Sequence, residues 1–263
     1  MIIYKSEEEI QAIKRSNTIV AKILAELGAK ITPGVCTKEL DIYAEKRARE
    51  MGAAPAFKGY RGFPASLCVS VDEEIVHGIP SSRTLREGSI VSLDFGVVYK
   101  GFFGDAAATF PVGCVSQQAQ KLISVTEQAF YKGIEQMKEG KRISDISSAI
   151  QKHVESFGFS VIRSFVGHGI GFSLHEEPQI PNFGLPGRGP KIKPGMVFAL
   201  EPMISAGDWN VEILEDNWTA VTKDRSLSAH YEHTVAMTQK GPEILSLTAK
   251  EEDLVYYKES QHA

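Results

Sequence analysis

The residues with the clearest chemical potential are four acids whose positions repeat: Asp94, Asp105, Glu201 and Glu232. Gly88-Ser-Ile-Val-Ser-Leu-Asp94 and Gly195-Met-Val-Phe-Ala-Leu-Glu201 align without a gap, each running from a glycine through an apolar strand to a carboxylate. A second acid follows on a later strand of each half, Asp105 before Ala-Ala-Ala-Thr and Glu232 before His-Thr-Val-Ala. Two strand acids per half, related by a pseudo-twofold, would converge on the centre of the fold. Carboxylates held that close must take up protons or hold cations between them. Two divalent ions would cancel the four negative charges and, at roughly 3.5–4 Å apart, activate a shared water for hydrolysis. His168, in Gly167-His168-Gly169-Ile170-Gly171, is the natural fifth ligand. Its glycines permit close backbone approach, and a neutral imidazole suits the role.

Each acid has a bland alternative. Asp94 before Phe-Gly and Asp105 after Gly104 could be turn residues, and Glu232 a salt-bridged surface residue. Glu201, closing a strongly apolar strand, is harder to dismiss because a buried Glu needs a partner. The matched spacing makes the joint reading the stronger one. His77 in Val-His-Gly-Ile-Pro80 and His175 in Leu-His-Glu-Glu-Pro178 are second-rank candidates, suited to binding a peptide or stabilising an oxyanion. Other motifs fail. His175-Glu-Glu has Gln179 where a zincin helix needs its second His. In a strand, His230-Tyr-Glu-His233 would point its histidines to opposite faces. There is no dinucleotide fingerprint, P-loop or GxSxG elbow.

The elements that must position these residues come as one programme run twice. Ser6 and Glu9 form a capping-box start for a helix ending at a C′ glycine, Gly28. Thr37 can cap a second, ending at Gly52. Strand-like runs follow at 67–71, 75–79, 89–95, 97–103 and 106–112. Ser116 then opens a helix to about Gly140, Ser144 caps another to Gly158, and strands return at 159–166, 196–200, 211–214, 218–222 and 231–238. The Pro- and Gly-rich 178–194 stretch reads as an ordered loop. The expectation is an α+β fold with an internal duplication, in one catalytic domain over 1–263 whose halves meet near 113 and 114.

Bulk properties fit this picture. A chain of 263 residues, 43% hydrophobic and 24% charged, can build a sizeable core. A net charge of -4 argues against a specific nucleic-acid partner. No signal peptide or membrane span is apparent, and three scattered cysteines read as reduced thiols. A cytoplasmic location without membrane attachment is expected.

With these residues in view, the chain resembles the type I methionine aminopeptidases of the pita-bread metallopeptidases over nearly its whole length. The ordered motifs are Pro33-Gly-Val-Cys-Thr-Lys-Glu-Leu-Asp41, Pro55-Ala-Phe, Gly59-Tyr-Arg-Gly-Phe-Pro64, His77-Gly-Ile-Pro80, Asp94-Phe-Gly and Gly104-Asp105. They continue as Gly167-His168-Gly-Ile-Gly171, His175-Glu-Glu-Pro178, Glu201-Pro-Met203 and Glu232-His-Thr234. The resemblance implies an antiparallel sheet covered by helices and two divalent ions, Co, Mn, Fe or Zn. It further implies that Asp94 chelates one ion, that Asp105 and Glu232 bridge both, and that His168 and Glu201 complete the other. A metal-bridging hydroxide would attack the first peptide bond, with Glu201 handling protons and His77 and His175 contacting substrate and tetrahedral intermediate. The methionine side chain would enter a pocket of Tyr60, Phe63, Cys68, Leu174 and Trp218, and crowding beyond it would favour a small second residue. Departures are Phe63 where Tyr is common, Leu174 where an aromatic is common, Asp72 for Asn and His230 for Gln. They bear on pocket shape, not on the reaction. The expected substrates are nascent polypeptide N-termini, with the ribosome a candidate docking partner and a monomer the expected state. The alternatives are an X-Pro aminopeptidase or prolidase, whose relatives usually carry an added N-terminal domain, and a non-catalytic peptide- or ribosome-binding member, which would generally have lost ligands.

Overall fold

The apolar spacing of the first segment does form a helix, and Ser6 and Glu9 close the expected capping box on it. In the computed structural model, which describes residues 1–248, this helix is α1 (Glu7–Gly28), followed by α2 (Thr37–Glu50). Short strands β1 (Ala54–Pro55), β2 (Cys68–Val71) and β3 (Glu74–Val76) lead to the long hairpin β4 (Ile90–Tyr99) and β5 (Phe102–Pro111). Helices α3 (Gln117–Ile134) and α4 (Ile143–Ser156) open the second half, then β6 (Ser160–Val161), β7 (Gly167–Gly169), β8 (Glu176–Ile180) and β9 (Val197–Leu200). The chain continues through β10 (Met203–Ser205), β11 (Val211–Ile213), β12 (Ala220–Thr222), β13 (Ser228–His230), β14 (Glu232–Thr238) and β15 (Gly241–Ile244).

Among the described residues the main sheet is nine-stranded and runs β1-β4-β5-β14-β9-β7-β8, with β2 also on β4 and β15 also on β14. All its pairings are antiparallel. The order is symmetric about the β5–β14 seam, with the Asp94 strand outside one side and the Glu201 strand outside the other. The hydrogen bonds repeat as well. Gly88 N donates to Val112 O and Val112 N to Ser89 O; Gly195 N donates to Met237 O and Met237 N to Met196 O. Both lead-in glycines have positive φ, +86° and +89°, which a side-chain-bearing residue adopts only under strain. The α+β, duplicated architecture expected from the sequence is therefore present.

Period-2 alternation then divides each strand between core and site. Leu93 and Phe95 of β4 pack with Val20, Leu24 and Leu40 of α1 and α2. Phe198 and Leu200 of β9, and Val235 and Met237 of β14, pack with Leu122, Phe130 and Ile150 of α3 and α4. Asp94, Glu201 and Glu232 fall on the opposite parity and line a cavity instead.

Several boundaries differ from the sequence reading. The run 97–103 is not a strand of its own: Lys100 (φ +51°) and Gly101 (φ +84°) make a tight turn there, so β4 and β5 take up all three expected strands. Gly28 is the last helical residue, not a left-handed cap; a Cβ there would stand 2.4 Å from the Phe110 ring. The N-cap of α2 is Cys36, because the Thr37 hydroxyl donates to Ser81 O. Likewise α4 begins after Arg142, while Ser144 Oγ bonds Arg188. Helix α3 stops at Ile134 rather than near Gly140. Only Ser160–Val161 of the expected 159–166 strand forms one, and β8 takes up the start of the expected loop.

Candidate metal centre

Five strands deliver the four acids and His168. Asp94 is opposite Ala107 of β5 and Cys68 of β2. Asp105 is fixed through its backbone: its N–H donates to Asn17 Oδ1 (3.2 Å) and Thr234 Oγ1 (3.3 Å), and its carbonyl accepts from Thr234 Oγ1 (2.9 Å). Helix α1 reaches this strand because Gly104 lacks a side chain; a Cβ there would lie 2.8 Å from Asn17 N. Glu232 opens β14 directly across from Ala107. Glu201 follows the last residue of β9, and Pro202, which has no N–H to give the ladder, separates it from β10. Asn182 Nδ2 donates to the Glu201 carbonyl at 2.9 Å.

His168 lies in β7, squeezed between β9 and β8. A Cβ on Gly167 would stand 2.5 Å from Ala199 O, and one on Gly169 2.3 Å from Glu177 O. The expected close approach at these glycines is thus required by the sheet. His168 Nδ1 donates to Gly169 O at 2.9 Å, leaving the Nε2 lone pair directed at the acids.

Ligand atoms of Asp105, His168 and Glu232 lie within 4.8 Å of one another. Glu201 Oε1 is 3.4 Å from His168 Nε2, and its Oε2 is 3.8 Å from His230 Nε2. Buried oxygens Asp94 Oδ1, Asp105 Oδ1 and Glu232 Oε1 have no hydrogen-bond partner among the described residues. Orphaned carboxylate oxygens around one small space are what a cation site leaves when described by protein atoms alone. Burial raises the pKa of Asp105 and Glu201, with the neighbouring Asp94 charge adding to it. Glu232 is raised by burial and then by Asp105 and Glu201. Asp94 is only half-buried as a residue, but its sealed carboxyl is pushed up to about 7 by desolvation. His168 is pushed down to about 4 by burial. The His168–Glu201 contact therefore brings together two groups whose neutral forms are favoured, so it is not an ion pair. Four carboxylates and one imidazole fit divalent Mn, Fe, Co or Zn.

All twelve residues singled out in the sequence line one cavity of about 140 Å³, together with Phe57, Arg61 and Val76. Phe63 meets Trp218 edge-on at 5.2 Å between ring centres, and Trp218 is held by a turn in which Asp216 Oδ1 accepts from Trp218 N and Thr219 N. Tyr60 stacks on His175 at 13° and shares a 3.0 Å hydrogen bond with His175 Nδ1. His175 is pushed down to about 3, first by burial and then by His168, Arg61 and His77. His77 adopts φ +62°, an uncommon backbone conformation, and meets Phe165 and Trp218 edge-on. A larger depression of about 770 Å³, lined by Lys5, Arg15 and Lys240 together with Glu7, Glu8 and Glu243, holds none of these twelve residues.

His230 was not among the expected site residues. It is 1% exposed, neither ring nitrogen has a hydrogen-bond partner among the described residues, and burial, reinforced by His77, pushes its pKa to about 3. The sequence alternation His230, Glu232, Thr234 is the signal that could have found it, although Tyr231 divides β13 from β14. Asp72 lies away from the cavity at φ +59°, accepting from Ile90 N and Ser89 Oγ.

Comparison with known proteins gives a consistent result. Residues 11–239 match the profile of metallopeptidase family M24. The chain is 53% identical over 247 residues to a methionine aminopeptidase of Clostridium perfringens, covering 94% of this chain and 99% of that one. It is 52% identical over 246 residues to methionine aminopeptidase 1 of Bacillus subtilis, again 94% and 99%. The crystal structure of a Thermotoga maritima methionine aminopeptidase superposes with a TM-score of 0.92 at 46% identity, over 94% of this chain and 100% of that one. A Pyrococcus horikoshii prolidase shares the fold with a TM-score of 0.77, at 23% identity and with 64% of its length covered.

Proposed function

The chain belongs to metallopeptidase family M24, among its methionine aminopeptidases, and from that premise we propose that it removes the N-terminal methionine of nascent proteins when the second residue is small. The observation that carries this reading is the convergence, in one cavity, of an orphaned carboxylate set with an apolar pocket wall of Tyr60, Phe63, Cys68, Leu174 and Trp218. The residues that would hold the ions are Asp94, Asp105, His168, Glu201 and Glu232. When bound, a pair of divalent ions supplies Lewis-acid polarisation and a water made acidic near neutral pH.

The protein's own groups do the rest. Glu201, between His168 and His230, takes the proton of the attacking water and returns it to the leaving amine. His175 presents Nε2–H to the oxygen that gains charge, provided Tyr60 Oη donates to Nδ1, and His77 approaches from the Trp218 side. Both histidines are held below the usual imidazole range, His77 by desolvation and His175 by desolvation together with His168, Arg61 and His77, so each donates without adding charge. Shared strands between the halves support one catalytic unit. No described helix is long and apolar enough to cross a membrane; a substrate emerging from translation points to the cytoplasm, with the ribosome nearby.

The test is peptide turnover with Mn(II) or Co(II): Met-Ala-Ser is cleaved and Met-Lys-Ser is not. Equal cleavage of both, or cleavage of X-Pro peptides alone, would sink the specificity. The X-Pro reading has only a fold-level likeness at 22–24% identity behind it. A purely binding role is disfavoured by the full ligand set.

A further inference from the structure

The loop that carries Leu174 and His175 into the cavity is anchored to the very start of the chain. Lys5, in the arm before α1, forms an ion pair with Glu176 Oε2, and the two side chains are only 1% and 6% exposed. The other oxygen, Glu176 Oε1, accepts from Phe172 N (2.7 Å) and Ser173 N (3.0 Å). One carboxylate thus spends both oxygens holding the segment immediately before His175. Lys5 is itself fixed: its Nζ also donates to Ile3 O, its backbone N–H donates to Gly195 O at 2.7 Å, and its ammonium lies 5.5 Å from the Phe172 ring centre. Gly171 makes room for the lysine stem, since a Cβ there would stand 2.5 Å from Lys5 Cε.

A buried ion pair is a costly way to join two segments when apolar residues of similar size would serve. Its use is geometric. A charge-assisted hydrogen bond fixes direction as well as distance, and the residue next to Glu176 must face an oxyanion. We propose that Lys5, acting through Glu176, is a positioning residue for His175, setting the orientation of its imidazole against Tyr60 and the reacting carbonyl. The proposal rests on the aminopeptidase reading and deepens it. Lys5 touches neither the ligand set nor the apolar pocket wall, so its influence on the reaction passes through the 172–176 loop.

The test is a double-mutant cycle on the metal-loaded full chain with Met-Ala-Ser. Lys5→Met keeps the aliphatic stem and removes the charge. It is expected to lower kcat about tenfold or more, with KM and bound-metal content unchanged. In the His175→Ala background the same substitution is expected to change kcat by less than about twofold, because the group it positions is gone. Glu176→Gln, which retains an oxygen for the Phe172 and Ser173 amides, provides the second variant should Lys5→Met fold poorly, and is expected to show the same background dependence. Equal fractional losses with and without His175, or full kcat in both folded variants, would overturn the proposal. Inactive wild-type protein would instead remove the aminopeptidase reading itself, so the two failures are distinguishable.

Discussion

Glu201 shows how much one side chain can be asked to do. It follows a buried strand, belongs to the proposed ligand set beside His168, and turns its second oxygen toward His230. Replacing it by Gln keeps the volume and removes one of four mutually repelling charges, so the fold should be retained. The expected outcome for Glu201→Gln is a fall in kcat of roughly 10²–10⁴-fold with an unchanged circular-dichroism spectrum; near-normal turnover would remove it as the proton carrier. The acids could be found in the sequence because alternation and matched glycine lead-ins leave a pattern. Phe57 and Arg61 stand within the Pro55-Ala-Phe and Gly59-Tyr-Arg motifs with no sign of a role there, and Val76 left no pattern. They reach the cavity wall only when β1 and β2 pair with β4 and β3 pairs with β12, and nothing in their local sequence encodes that.

At the scale of elements, the sheet around the centre depends on strands pressed closer than side chains allow. Strand β7 is three residues long, yet it must hold His168 between β9 and β8. Gly167→Ala places a methyl against two backbone oxygens, Ala199 O and Ile180 O, neither of which can rotate away. A loss of roughly 1–3 kcal/mol in urea unfolding is expected from overpacking of this kind, together with weaker metal binding as β7 is displaced. Wild-type stability and affinity would show that the strands separate without cost. Strand existence was readable here from apolar runs and punctuating glycines. Strand ends were not: the 97–103 run looks continuous because Tyr99 and Phe102 flank the turn, and β8 was hidden by Pro178 within a Pro-rich stretch. Caps were misread for a related reason. Thr37 and Ser144 are both good capping types, but each hydroxyl bonds a distant segment, Ser81 and Arg188, which only the tertiary structure supplies.

For the whole molecule, the centre couples stability to pH and to metal. In the metal-free protein the carboxyls hold their protons more tightly folded than unfolded, most plainly Asp94, raised from 3.8 to about 7. A raised carboxyl pKa contributes stability below the unfolded value and loses it as pH climbs through the folded one. The four acids, set against the opposite trend of His168, His175 and His230, whose folded values lie below the usual imidazole range, should make the chelated protein melt at a higher temperature at pH 5.5 than at pH 8. Added Mn(II) should reverse the order, because ligand binding favours the ionised acids and stabilises by about 2.7 kcal/mol per site at a hundredfold excess over Kd. A chelated melting temperature that is flat or rises between pH 5.5 and 8 would contradict this coupling.

The β5–β14 seam has a consequence for how the protein is made. Synthesis releases β5, with Asp94 and Asp105 already in hand, long before β14 exists. Until Glu232 and Thr234 arrive, the hairpin presents an unpaired strand edge, the kind of surface that recruits other chains. The same late strand closes that edge and brings the last acid to the centre. A chain halted before residue 232 would then be exposed and ligand-deficient together, so quality control would meet a sticky fragment rather than a half-working hydrolase.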